Sequence, residues 1–241
     1  MRMATLVALV TMAAAAPVIA KPTVAVTTCG QQVPNGTVGY LTADLDCSGL
    51  TSALGAVVLG ANAVLDLRGF TLTTDAIFGV FCGGVTPEKG WLTACTVADG
   101  TIAGAMTGHA IIGKRVRAAN LTISGAAVEG IFADGPFRGE GLSVSGSGEA
   151  GVRADGSVRL TESTITGNGR FGVSNGPGRI RLIDSSVTGN GTDADCGLAG
   201  MPCADLSSGV APKLVSSTCE TSTGNPVSEG GGHDWNVCTL D

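Results

Sequence analysis

The sequence predicts an all-β chain wound as a parallel β-helix, a solenoid of coils about 21 residues long closed by disulfide-bonded caps. Three observations predict it. Ile102, Ile123, Val144, Ile165 and Val187 recur at spacings of 21, 21, 21 and 22 residues. Hydroxyl residues flank that column, with Thr122, Ser143, Thr164 and Ser186 before it and Ser124, Ser145, Thr166 and Thr188 after it. Each triplet therefore alternates as a strand does, its aliphatic member inward and its hydroxyls outward. Finally, the 241 residues include 38 glycines without a Gly-X-Y period, only 14% are charged, and 44% are hydrophobic. That composition excludes collagen and disorder and suits tightly turned β structure.

Two further columns complete the coil. One holds Ala110, Ile131, Val152 and Val173, preceded by His109, Gly130, Gly151 and Gly172; the other holds Val116, Phe137, Val158 and Ile180. Turns at Asp134-Gly135 and Asp155-Gly156 separate the strand signals. Asn168 and Asn190, 22 apart, suit stacked turn amides that hydrogen-bond along the axis. A leucine-rich repeat shares the period, and Leu160-x-x-Ser163-x-Ile165-x-x-Asn168 approaches its consensus, but residues 169–180 are Gly-rich and carry no helical segment. A β-sandwich would not keep column identity at a fixed interval, and propeller blades repeat at about twice this length.

The ends read differently. Met1 and Arg2 precede an apolar stretch, and Val18-Ile19-Ala20 forms a small-residue cleavage pattern before Lys21, so residues 1–20 are expected to be a secretory signal peptide. Broken by Pro17, the stretch is short for a span of about 20 residues, and no membrane span is expected in the mature chain. Residues 21–52 are expected to form an N-terminal cap, 53–219 the parallel β-helix and 220–241 a C-terminal cap. Between Leu72 and Ile102 the interval stretches to 30, which places an insertion around residues 86–91. Eight cysteines permit 105 connectivities; pairing neighbours (Cys29 with Cys47, Cys82 with Cys95, Cys196 with Cys203, Cys219 with Cys238) closes short loops and is the expected arrangement. The even count agrees with export, so the location expected is secreted, periplasmic or cell-surface. With no Cys-x-x-Cys and two histidines, neither a metal site nor a cofactor is expected. A net charge of −6 speaks against a nucleic-acid partner.

Candidate chemistry centres on arginines. Arg117, Arg138, Arg159 and Arg181 recur at 21, 21 and 22, so a parallel stack would bring their guanidinium groups onto one face about 4.8 Å apart. Like charges in register need compensation, from Glu140 and Glu162 nearby or from an anionic ligand such as a uronate or sulfated polymer. Residues 109–182 carry nine basic and six acidic groups, the remainder five and fourteen. His109 replaces glycine in its column, and an imidazole there would be the candidate base for abstracting a proton α to a uronate carboxyl. Its column is expected on a different face from the arginines.

The run Val64-Leu65-Asp66-Leu67-Arg68-Gly69-Phe70-Thr71-Leu72, followed by the 21-residue coils, resembles secreted right-handed parallel β-helix proteins of the pectate-lyase-like superfamily over roughly residues 53–219. Right-handedness comes from that resemblance, which also implies polysaccharide as the partner. The activity motifs of polygalacturonase-like members are mostly missing: Gly108-His109-Ala110 and Arg179-Ile180-Arg181 are partial echoes, and no Asp-Asp pair occurs. Glycoside hydrolysis then lacks its paired carboxylates. The expected role is non-catalytic, either glycan binding or a structural part of a cell-surface or extracellular layer. The alternative is a polysaccharide lyase or related carbohydrate-active enzyme acting on uronate-containing polymers, the one case in which Ca²⁺ would enter.

Overall fold

The computed structural model describes residues 20–50, 54–83, 92–193, 203–224 and 235–239. Among these residues all regular structure is β, and no helix is long and apolar enough to cross a membrane. The expected signal peptide and the insertion at residues 86–91 lie outside the described residues, as does Cys196 of the expected Cys196–Cys203 pair.

Among the described residues the strands fall into three rows. The first row runs β1 (Thr23–Val26), β3 (Val38–Leu41), β6 (Ala63–Asp66), β9 (Ala94–Ala103), β11 (Arg115–Ser124), β13 (Phe137–Glu140), β16 (Val158–Thr161), β19 (Ile180–Ile183) and β22 (Lys213–Val215). The second adds β4 (Leu45–Cys47) and β7 (Thr71–Thr74), shares β9 and β11, and continues as β14 (Ser143–Ser145), β17 (Thr164–Thr166), β20 (Ser186–Thr188) and β23 (Thr218–Cys219). Because β9 and β11 are ten residues long and serve both rows, these two rows form one 15-stranded sheet. A separate nine-stranded sheet contains β2 (Gln31–Val33), β5 (Val57–Leu59), β8 (Phe78–Cys82), β10 (His109–Gly113), β12 (Ile131–Ala133), β15 (Ala150–Ala154), β18 (Phe171–Asn175), β21 (Ala204–Ser208) and β24 (Ser222–Gly224). Pairing within both sheets is parallel, and each strand meets its counterpart from the next repeat. β1 to β4, within residues 21–52, already belong to these rows.

The corner between the first two rows is one residue in the left-handed region: Asp99 (φ 61°), Asn120 (φ 51°), Gly141 (φ 61°), Glu162 (φ 50°) and Asp184 (φ 48°). Asn, Asp and Gly tolerate that conformation best, which accounts for most of the column.

Aliphatic columns build the core. Ile102, Ile123, Val144, Ile165 and Val187 are in register and fully buried. So are Val116, Phe137, Val158 and Ile180. Each such side chain contributes about 1.5–3 kcal/mol on burial. The remaining column needs a correction: Ile111, not Ala110, pairs with Ile131, and the line continues through Val152 and Val173. Nine residues separate Ile102 from Ile111, whereas eight separate Ile123 from Ile131, so the extra turn residue shifts the register by one. His109 therefore stands outside the glycine column.

Polar ladders run beside the core. Asn168 Nδ2 donates to Asn190 Oδ1 (2.8 Å), and Asn190 Nδ2 donates to Asp205 Oδ1 (2.9 Å), which ends the ladder on a buried carboxylate. A Cβ at Gly151 or Gly172 would press into the core side chains of Ile165 and Val187 and into the Asn168 and Asn190 amides. Ser163, Ser185 and Ser217 accept in turn from the backbone N–H groups of Leu142, Ser163 and Ser185. Three disulfides close as expected among the described residues, Cys29–Cys47, Cys82–Cys95 and Cys219–Cys238. An antiparallel bridge between Gly83 and Leu92 flanks the second of these. At the far end Trp235 Nε1 donates to the carbonyls of Ser208 (3.3 Å) and Thr223 (3.2 Å), so the indole covers β21 and β24.

Candidate functional site

Strict alternation on the first row places the arginines. In β13 the sequence Phe137-Arg138-Gly139 reads buried, exposed, buried, and in β16 Val158-Arg159-Leu160 does the same. Parallel register then lays Arg117, Arg138, Arg159 and Arg181 side by side on consecutive strands. Lys213 continues the line beyond Arg181, and Thr96 precedes Arg117. Arg115, two residues before Arg117 on the same strand, shares its outward face. The sequence reading missed Arg115 although the two-residue period carries it, and missed Lys213 because the repeat lengthens before β22.

Arg117, Arg138 and Arg159, with Thr96, Gly139 and Glu140, line a groove of about 530 Å³. Arg181 lies one strand further and does not line it. Unit charges about 4.8 Å apart repel by roughly 1 kcal/mol in bulk water and about 3–4 kcal/mol at an effective dielectric constant of 20. None of these arginines is in an ion pair among the described residues, whose ion pairs are Arg68–Asp66, His109–Glu129 and Arg153–Glu129. Glu140 lines the groove without forming an ion pair. Glu162 faces a different hollow of about 400 Å³, on the second row, beside Thr164, Asp184, Ser186 and Thr218.

His109 sits in the other sheet, as expected. Its ring lies between Phe78 (centroids 5.6 Å apart, interplanar angle 3°) and Phe132 (5.4 Å, 25°). Nδ1 is 2.7 Å from Glu129 Oε2, with the ring nitrogen and the oxygen not aligned as a regular hydrogen bond. Glu129 Oε1 accepts from Arg153 Nη1 at 3.2 Å, and the Arg153 guanidinium also lies 5.7 Å from the Phe132 ring centroid. Glu129 is 2% exposed and sits against these two side chains. Neither Glu129 nor Arg153 was a sequence candidate; nothing in the spacing links 109, 129 and 153 until the register is known. The imidazole stands beside a carboxylate, yet it is in a different sheet from the arginine groove and no second carboxylate accompanies Glu129 in its ion pairs.

Away from both places, Asp46 is held below the usual carboxylate range because the Ser48 hydroxyl (2.7 Å) and the Ser48 N–H (2.9 Å) donate to it.

No protein-family model matches this chain, and neither the curated proteins nor the solved structures give a significant match.

Proposed function

We propose that this chain is an exported, right-handed parallel β-helix of the pectate-lyase-like kind, and that its arginine row binds a linear polyanionic glycan without cleaving it. The observation that carries the reading is the in-register row Arg117, Arg138, Arg159 and Arg181, without an ion-pair partner among the described residues, whose first three members line a groove. A row of planar, forked donors suits carboxylate or sulfate groups presented at intervals along an extended chain. The three disulfides, the parallel rows and the cleavage pattern before Lys21 support export and the coiled architecture.

Replacing Arg138 and Arg159 together by alanine tests the binding role. Retention on polygalacturonate or dextran sulfate falls while the far-ultraviolet circular dichroism spectrum is unchanged. Equal retention of the variant and the parent removes the arginine row as a binding site. A lyase reading has one observation in its favour, the imidazole of His109 beside Glu129. Absorbance of unsaturated uronate products from polygalacturonate, lost in His109→Ala, would replace the non-catalytic reading with it.

A further inference from the structure

Beside the arginine groove lies a smaller cleft of about 240 Å³, lined by Lys21, Asn62, Thr96, Arg115 and Arg117 among others. It shares Thr96 and Arg117 with the groove, so the two adjoin. Lys21 precedes β1, while Arg115 and Arg117 project from β11; sequence distance hides a cluster that the fold assembles. No carboxylate among the described residues lines this cleft, and none forms an ion pair with these three cations.

Lys21 is also the residue that follows Val18-Ile19-Ala20, the small-residue cleavage pattern. Its backbone is fixed from the next residue onward, because the carbonyl of Pro22 accepts from Val38 N–H at 2.9 Å. Cleavage after Ala20 would thus place a new α-ammonium group at an anchored position beside Arg115 and Arg117. We propose that removal of the leader completes an anion subsite here, in which the α-ammonium and side chain of Lys21 act with Arg115 and Arg117 on an oxyanion substituent, a carboxylate or a sulfate ester, of the polymer lying along the groove. The subsite rests on the reading of the arginine row as a polyanion site. Export then does more than relocate the chain: the unprocessed form carries an amide where the processed form carries a positive charge.

The α-amino group gives this subsite a signature that its other members lack. Its ordinary pKa, about 7.7–8.0, is the lowest of any cationic group in the cleft. The groups facing it are Arg115 and Arg117 from β11, the Lys21 side chain, and the uncharged Asn62 and Thr96. The surrounding positive charge disfavours the ammonium form and moves its loss below the ordinary range, while a bound polyanion opposes that shift, so binding weakens as pH rises from about 6.5 to 9.

The test uses the exported protein, its N-terminus established by mass spectrometry, with dextran sulfate and polygalacturonate as the two probes. Affinity is measured across pH 6.5–9 for the parent, for protein selectively acetylated at the α-amino group, for Arg115→Ala, and for the Arg138→Ala/Arg159→Ala variant. Acetylation of the α-amino group should weaken binding of at least one probe about two- to five-fold at pH 6.5 and flatten the pH dependence, the size expected for one exposed charge contact. Arg115→Ala weakens binding similarly but keeps the pH dependence. An N-terminus elsewhere than Lys21, or an acetylated protein that matches the parent for both probes at every pH, overturns the subsite. If the arginine double variant is weakened in that case, the groove reading survives alone; if it too matches the parent, both fall.

Discussion

Asp205→Asn is the sharpest test of how the last repeats are locked together. Asp205 is 1% exposed, and its carboxylate accepts from two groups at each oxygen. Oδ1 accepts from Asn190 N (3.0 Å) and Asn190 Nδ2 (2.9 Å), and Oδ2 from Glu220 N (2.8 Å) and Thr221 N (3.1 Å). An amide is the same size but has one accepting oxygen. Whichever way the substituted side chain turns, its NH₂ group faces two N–H donors. Two hydrogen bonds to a charged acceptor are lost, at about 1.5–3 kcal/mol each, so the variant is destabilised by roughly 3–6 kcal/mol. That is a large share of the roughly 5–15 kcal/mol by which a typical domain is stable. Urea unfolding followed by circular dichroism, with the disulfides intact, measures the loss. Hydrogen exchange should show the amides of Asn190, Glu220 and Thr221 losing protection first. A variant within about 1 kcal/mol of the parent would refute the reasoning, because substitutions at indifferent sites fall within about 0.5 kcal/mol.

Two other perturbations address separate parts of the molecule. Ser48→Ala removes the hydroxyl that lowers the Asp46 pKa, so an NMR titration sees that carboxyl move up toward the ordinary range. Since a depressed folded pKa contributes stability above the unfolded value and loses it as pH falls, the parent's advantage over the variant should vanish in acid; an unmoved Asp46 resonance contradicts this. Glu129→Ala removes the carboxylate between His109 and Arg153. Both partners retain access to water, with 18% and 48% of their side chains exposed, so the loss is moderate, about 1–2 kcal/mol, and polyanion retention is unchanged because the arginine row is in the other sheet. Loss of retention in this variant would mean that the two faces are coupled.

Much of this architecture is legible in the sequence where the repeat keeps constant length. Val144, Ile165 and Val187 recur at almost fixed intervals, and the same intervals carry Arg138, Arg159 and Arg181, so core and surface rows emerge together. Asn168 and Asn190 are likewise readable as a ladder. Its end is not: Asp205 comes 15 residues later and changes residue type, and only the pairing of Phe171 with Ala204 and of Val173 with Leu206 brings it beneath Asn190. Counting residues puts His109 in the glycine column, because one additional turn residue before β10 is invisible to it. Once Ile111 pairs with Ile131, position 109 falls opposite Phe78 and beside Glu129. The basic cleft is hidden for another reason. Lys21 and Arg115 are 94 positions apart and belong to no common period, so only the stacking of β1, β3, β6, β9 and β11 in one row unites them.

A polyanion-binding role requires the arginines to act as one continuous site rather than as separate surface charges. Calorimetric titration with uronate oligomers of increasing length tests this most directly. From Arg117 to Arg181 the row covers about 14 Å at the strand spacing. Affinity should rise steeply until an oligomer spans that distance and then level off, and the rise should disappear in Arg138→Ala/Arg159→Ala. Affinity independent of oligomer length, or the same length dependence in the double variant, would contradict a continuous site.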